Sequence, residues 1–563
     1  MMTRFLPFAA LLLASCVTAP QPTSSFSTGA VSSAEPRATA AGEEILAKGG
    51  SATDAALAVL VALSVVEPQS SGIGGGGFLV RSDANGNVTT YDGREMAPSA
   101  AGPNWFLGPD GQPMGFRSVV PGGRSVGVPG NIALMKLAHD KHGKLAWHEL
   151  FQPAIRLARG GFPMTRRLRN TLESRKDVAA LLTSGRDIYY DASGEPLAEG
   201  AMIRNPAKAD MLERIAALGP EAFYSGQNAE AIATTVNYTK TAPAPLTAED
   251  VGRYVAKERA PVCGGYRGYK ICSMGPPSSG ATTVLQIVKL LEPFDMKGMG
   301  KDDPRSWHLI AEASRLAYAD RGQYLGDGDF VSVPVAGLVD DAYLRERAAR
   351  IRLDSVMGDV THGTPPGALA IMASGMEPDE NGTSHFAVAD GAGNVVSLTS
   401  TIESAFGSGL IVNGYYLNNE LTDFSFRPTG DDGRPVANAV AAGKRPRSSM
   451  SPAIVFDPKG RPVLAVGAAG GSTIITQTAK NIIAFIDWDL SAQQAIDLRN
   501  IYSPGNTIQL EEGDGSEALA TALRAMGHQV DVIRPRFKAN AVEKVNGRWV
   551  AATDPRTQKD VSP

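Results

Sequence analysis

The chain has 563 residues with 54 basic and 58 acidic side chains, a formal charge of −4, and is 43% hydrophobic against 20% charged. Such a composition buries a core and excludes a disordered or fibrous chain, and the length allows about two to four domains of ordinary size. The near-balanced charge, with no Lys/Arg-rich block, argues against nucleic acid as a partner, and three cysteines exclude a disulfide-rich scaffold or a self-contained Cys₄ zinc site.

The chain opens with Arg4 before an apolar run over residues 5–14 and then Ser15-Cys16, the layout of a secretory signal over residues 1–15. Leu13-Ala14-Ser15-Cys16 resembles a bacterial lipobox, in which the peptide is cut before a cysteine that carries lipid; an ordinary signal with an incidental Cys16 is the alternative. Residues 16–36, rich in Ser, Thr, Pro and Ala, read as a flexible tether. Val17 after the cysteine resembles the pattern sent to the outer membrane, so the expected location is the bacterial periplasm, with a lipid anchor as the only membrane contact.

Residues 37–66 read as helical, with Ser51-Ala52-Thr53-Asp54 able to cap and Pro68 ending the run. Gly72-Ile73-Gly74-Gly75-Gly76-Gly77 matches G-x-G-x-x-G, but the helix precedes it and a strand at 78–81 follows, the wrong order for a dinucleotide site. The glycines are expected to let backbones pass closely or to line a site. The longest apolar stretch beyond the N-terminus, residues 55–66, is too short to span a bilayer. Helical patterns dominate 131–218 and 306–349, and hairpins are expected near 78–93 and 261–274. From residue 383 short strands follow, at 386–389, 395–401, 453–456 and 463–466, and then helices at 476–486 and 492–498. Strands interleaved with helices indicate an α/β or α+β protein.

In the hairpin at 261–274 a turn at Arg267-Gly268 puts Cys263 opposite Cys272 at a spacing that suits a disulfide. An oxidising compartment allows it to close; otherwise the pair remains two buried thiols, and Arg is an awkward first residue for this turn. In the next hairpin, a loop centred on Ala392 sets Thr401 opposite Thr383, behind Gly382. By themselves two facing threonines are an ordinary sheet pair, and His385, without an aligned carboxylate, makes a weak triad.

The motifs around that pair are more specific. Gly382-Thr383-Ser384-His385-Phe386, Leu417-Asn418-Asn419-Glu420-Leu421-Thr422-Asp423, Lys444-Arg445-Pro446-Arg447-Ser448-Ser449 and Gly470-Gly471-Ser472, together with Asp92-Gly93-Arg94-Glu95-Met96-Ala97-Pro98 and Pro276-Pro277-Ser278-Ser279-Gly280, resemble the γ-glutamyltranspeptidase family from about residue 37 to the end. The resemblance implies a four-layer αββα sandwich of the N-terminal-nucleophile hydrolase type, without cofactor or metal. It further implies self-cleavage between Gly382 and Thr383 into a large chain ending at 382 (folded from 37) and a small chain 383–563. Thr383 would be the nucleophile, with its own freed α-amine as base; that amine's ordinary pKa of about 7.7–8.0 suits the task.

By the same resemblance Thr401 supports Thr383 during self-cleavage, and Gly470 and Gly471 form the oxyanion hole. Arg94, Ser448 and Ser449 hold the substrate α-carboxylate, and Glu420 and Asp423 hold its α-ammonium. Glu403 stands where the family usually has an asparagine. The segment 426–435 is shorter than the lid of some members and has no aromatic after Phe426, which implies an open pocket. The expected partners are glutathione-like γ-glutamyl donors, with water, amino acids or peptides as acceptors. A glutaryl or cephalosporin-type amide acylase is the alternative, and an unprocessed lipid-anchored binding protein a more distant one.

Overall fold

A computed structural model of the chain describes residues 29–369, 373, 382–534 and 537–558. Two six-stranded antiparallel sheets lie face to face. In chain order the strands are β1 (Ala30–Ser32), β2 (Gly76–Ser82), β3 (Val88–Asp92), β4 (Lys257–Arg259), β5 (Val262–Tyr266), β6 (Tyr269–Ser273), β7 (Gly382–Ala389), β8 (Val395–Glu403), β9 (Ala453–Phe456), β10 (Pro462–Ala469), β11 (Lys538–Val545) and β12 (Arg548–Thr553). The first sheet runs β1-β7-β8-β2-β3-β4 and the second β12-β11-β10-β9-β6-β5. Helices α1 (Pro36–Ala47) and α2 (Ala52–Val66) cover the first sheet. Helices α3 (Gly280–Leu290) and α5 (Ile474–Ile486) cover the second, with α4 (Pro304–Tyr324) packed on α3. This is the expected αββα order of layers.

Helix α2 starts in a capping box: Ser51 Oγ accepts from the Asp54 N–H, and Asp54 accepts from the Ser51 N–H at 2.9 Å. All its residues are buried, as expected of a helix apolar on every side. Strand β7 is buried along its whole length and divides its side chains by alternation. Phe386 and Val388 enter the core shared with α2, whereas Ala387 and Ala389 face the second sheet. Thr383 and His385 therefore lie on the inter-sheet side and Ser384 on the helix side.

The glycine run passes close to other backbones. A Cβ on Gly74 would lie 2.1 Å from the Tyr416 carbonyl oxygen, and one on Gly75 would lie 2.0 Å from that of Thr401. These glycines hold β2 and its approach against β8 behind the site. Cys263 pairs with Cys272 in register and the two form a disulfide. Arg267 and Gly268 both take positive φ, 50° and 83°, as a two-residue turn of this hand requires.

Two expectations change. Residues 30–32 form a strand on the edge of the first sheet, pairing with 387–389, so the stretch read as tether over 16–36 is already part of the fold at its end. Cys16 lies outside the described residues. Length suggested several domains, but both sheets draw strands from before and after residue 382, so neither part has a complete sheet alone. Helices do dominate 131–218 as expected, around a two-stranded ribbon of Phe162–Pro163 and Met202–Ile203. Strands β11 and β12, which complete the second sheet, were not expected. Their sequence signal is the Asn546-Gly547 turn, with φ of 49° and 82°.

Candidate active site

Thr383 faces Thr401 across the β7–β8 ladder, and both are almost fully buried. The Thr383 hydroxyl lies 2.7 Å from the carbonyl oxygen of Gly382 and 3.2 Å from Thr401 Oγ1. Thr401 Oγ1 donates to the same carbonyl at 2.6 Å and accepts from the Glu403 N–H at 2.7 Å. Two hydroxyls thus converge on the peptide bond that precedes Thr383. Between Thr401 and Glu403 the ladder slips, and Glu403 takes φ of 74°. A bulge of this kind re-aims a side chain, and here it turns Glu403 into the cleft.

The cleft is lined by Arg94, Thr383, Thr401, Glu403, Asp423, Ser448, Ser449 and Gly471, among others. It therefore gathers residues from motifs more than 300 positions apart. Gly471 opens a 3-10 turn into α5. Gly470, at φ 130°, lies just behind it, and its carbonyl accepts from the N–H and hydroxyl of Thr473 at 3.2 and 2.7 Å. Glu420 does not line the cleft; it is fully buried behind Arg94.

Arg94 is 1% exposed and heavily engaged. It pairs with Glu420 and Asp423 and donates to the carbonyls of Pro446 and Arg447 at 3.1 and 2.9 Å. Burial alone would lower its pKa, but Glu420 and Asp423 overcome this and raise it; it is a permanent cation. The alternative reading of Arg94 as simply an ion pair with Glu95 does not describe it, since that separation is 3.9 Å. Glu95 is wholly buried with no donor on either oxygen. Burial and the neighbouring Glu420 push its carboxyl well above the usual range, against the pull of Arg94.

Glu403, Glu420 and Asp423 bring three carboxylates within 4.8 Å of one another. Arg94 already balances two of them, so the set fits a small organic ammonium better than a divalent ion. His385 makes no triad. Its Nδ1 meets Thr399 Oγ1 at 2.9 Å, and burial pushes its pKa down to about 3, leaving a neutral ring. The segment after Asp423 forms a short turn closed by Thr429 and Pro435. Phe426 stacks on Phe106 at 4.2 Å and is not part of the cleft wall.

These features can be set beside known proteins. The profile of the family described as Gamma-glutamyltranspeptidase matches residues 38–563. The chain belongs to this family. It is 38% identical over 544 residues to the glutathione hydrolase proenzyme of Bacillus subtilis (strain 168), covering 93% of this chain and 90% of the relative. It is 37% identical over 553 residues to the glutathione hydrolase proenzyme of Escherichia coli (strain K12), covering 95% and 91%. Among solved structures, a cephalosporin acylase from Bacillus halodurans superposes with a TM-score of 0.81 at 26% identity, covering 97% of this chain and 98% of that one.

For this member of the gamma-glutamyltranspeptidase family, several supporting residues escaped the sequence reading. Asp92 accepts the Arg94 N–H at 2.8 Å and pairs with Arg259 and Arg445, so the Asp-Gly-Arg motif carries its own orienting acid. Arg321 on α4 donates to Ser449 Oγ and Ser279 Oγ, each at 2.8 Å. Tyr502 donates to Ser472 Oγ at 2.8 Å.

Proposed function

We propose that the protein is a γ-glutamyl transferase and hydrolase that cuts itself before Thr383 and then uses that residue as an N-terminal nucleophile. The observation that carries this reading is the pair of hydroxyls from Thr383 and Thr401 on the Gly382 carbonyl, beside a cleft holding Arg94, Ser448 and Ser449. In self-cleavage Thr383 Oγ1 adds to the Gly382 carbonyl carbon and the C–N bond breaks. The hydroxyl proton passes to the released amine. Water then hydrolyses the resulting ester, freeing Thr383 with both its amine and its hydroxyl.

In turnover the amine takes the hydroxyl proton while Oγ1 attacks the γ-carbonyl of a glutathione-like donor, and the proton is then given to the leaving amine. The acyl oxygen would lie against the Gly470-Gly471 turn. Water, an amino acid or a peptide then accepts the acyl group. Arg94 with Ser448 and Ser449 suits an α-carboxylate, and Asp423 with Glu403, backed by Glu420, suits an α-ammonium. That paired acid and base chemistry favours an α-amino acid donor over a glutaryl amide, although the likeness to the cephalosporin acylase keeps the acylase as the second reading. Export, lipidation at Cys16 and a periplasmic site belong to the same proposal, and rest on the signal and lipobox residues alone.

The test follows the precursor by denaturing gel and N-terminal sequencing, and the purified enzyme with γ-glutamyl and glutaryl anilides. The smaller fragment should begin at Thr383 with a mass of about 19 kDa, in proportion to chain length. The γ-glutamyl anilide should be the better donor. A break elsewhere, or preference for the glutaryl compound, refutes the corresponding part.

A further inference from the structure

On the face of β7 opposite the cleft, Ser384 opens a buried polar chain. Its hydroxyl lies 3.1 Å from Glu67 Oε2, at the C-terminal cap of α2. Lys538 Nζ lies 3.3 Å from the same carboxylate oxygen and 3.5 Å from Ser384 Oγ. Arg167 pairs with the other Glu67 oxygen at 2.8 Å. Burial would raise the Glu67 pKa, but Arg167 and Lys538 outweigh it and hold the carboxyl below its ordinary range. It is an ionised acid between two cations.

The chain continues through the backbone of Lys538. Its N–H donates to Gln477 Oε1 at 3.1 Å. Gln477 Nε2 donates to the Ala469 carbonyl at 2.9 Å and to Thr473 Oγ1 at 3.0 Å, and Thr473 Oγ1 donates to the Gly470 carbonyl at 2.7 Å. One connected series therefore joins the residue after Thr383, on the first sheet, to the Gly470-Gly471 turn, which follows the second sheet.

Topology explains why such a link is needed. Strand β1 pairs with β7 only at residues 387–389, so on that edge the first residues of β7 have no strand partner among the described residues. Cleavage before Thr383 would turn the same residues into a chain end, and chain ends fray unless tied down. There the side chains of Glu67 and Lys538 hold Ser384 through its hydroxyl.

We infer that Glu67, Lys538 and Gln477 are positioning residues that hold Thr383 in register with the Gly470-Gly471 turn across the two sheets. The inference rests on the reading of Thr383 as nucleophile. None of the three touches the substrate; they act on kcat by fixing the distance between the attacking oxygen and the turn that receives the acyl oxygen. A misplacement of about 1 Å costs up to about 100-fold in rate.

The experiment compares Glu67→Gln, Gln477→Leu, Ser384→Ala and Ser384→Thr with the unaltered enzyme on a γ-glutamyl anilide, well below each Tm. The first three should lose about 10- to 100-fold in kcat with the donor KM within about twofold, because Arg94, Ser448 and Ser449 are untouched. Ser384→Thr, which keeps the hydroxyl, should retain at least about half of kcat. A folded but uncleaved Glu67→Gln precursor also supports the inference, since self-cleavage uses the same alignment. Unchanged kcat in Glu67→Gln and Ser384→Ala, or a rise in KM alone, overturns it. Thr383→Ala distinguishes the two levels: if it is still cleaved or active, the nucleophile reading falls and takes the inference with it, whereas an inert Thr383→Ala beside a fully active Glu67→Gln and Ser384→Ala refutes only the positioning role.

Discussion

Replacing Thr401 by valine keeps the shape of the side chain and removes one hydroxyl. Thr401 is 1% exposed and its hydroxyl donates to the Gly382 carbonyl at 2.6 Å, where the proposed attack by Thr383 would develop negative charge. Loss of one such donor typically costs about 2.7–4 kcal/mol, or about 10²–10³-fold in rate. The Glu403 N–H, which now reaches Thr401 Oγ1 at 2.7 Å, would lose its acceptor. That loss costs about 1–3 kcal/mol of stability and should appear in Tm rather than in the rate. The assay is a gel time course of freshly purified Thr401→Val precursor, with sequencing of the new N-terminus. The precursor should persist about a hundred times longer than the parent and then break at the same bond. Cleavage at a rate within about threefold of the parent would refute the role of Thr401 as a donor to the scissile carbonyl.

Arg94→Ala removes the guanidinium that the proposed reading sets against the donor's α-carboxylate, and losing a charged partner in a desolvated pocket typically costs about 2–5 kcal/mol. It should lower kcat/KM for γ-glutamyl donors by about 30-fold to several thousand-fold and affect glutaryl donors much less; equal losses would show that Arg94 does not read an α-carboxylate. His528 is buried against His308 at 2.6 Å, and burial holds its pKa at about 4, below the ordinary 6.5. The unfolded chain therefore binds more protons between these values, and stability should fall as pH drops from about 6.5 to about 4, by at most about 1.4 kcal/mol per pH unit from this group. His528→Asn should flatten that part of a Tm-against-pH curve, and an unchanged slope would remove His528 as its source. Cys263 and Cys272 should resist thiol labelling until reduced. Closing this short loop is worth about 2.5–3 kcal/mol in the chain-entropy account, so reduction without any fall in Tm would contradict it.

Several residues that line the cleft, Arg94, Thr383, Thr401, Glu403, Asp423, Ser448, Ser449 and Gly471, were singled out by the resemblance of local motifs to those of the family. The Thr383 and Thr401 pairing followed from strand alternation and one loop centre, and the structure has that register. The Cys263 and Cys272 pairing followed in the same way. Helix α2 was marked by its cap and by a continuous apolar run.

Only the tertiary structure decided how charges far apart in the chain combine. No spacing rule places Glu420 behind Arg94, buries Glu95 beside Glu420, or leads Lys538 to Glu67 across 471 positions. Those pairings depend on two sheets built from both halves of the chain, and on which face of β7 each side chain takes. The C-terminal strands β11 and β12, marked only by their Asn546-Gly547 turn, were missed for a related reason. Their inward residues are mainly small, Ala539, Ala541 and Ala552 among them, and a strand that buries alanine against another sheet has little hydrophobic contrast between its faces. Sequence determined the chemistry available near Thr383; the packing of the sheets determined which groups meet around it and which of them share charge.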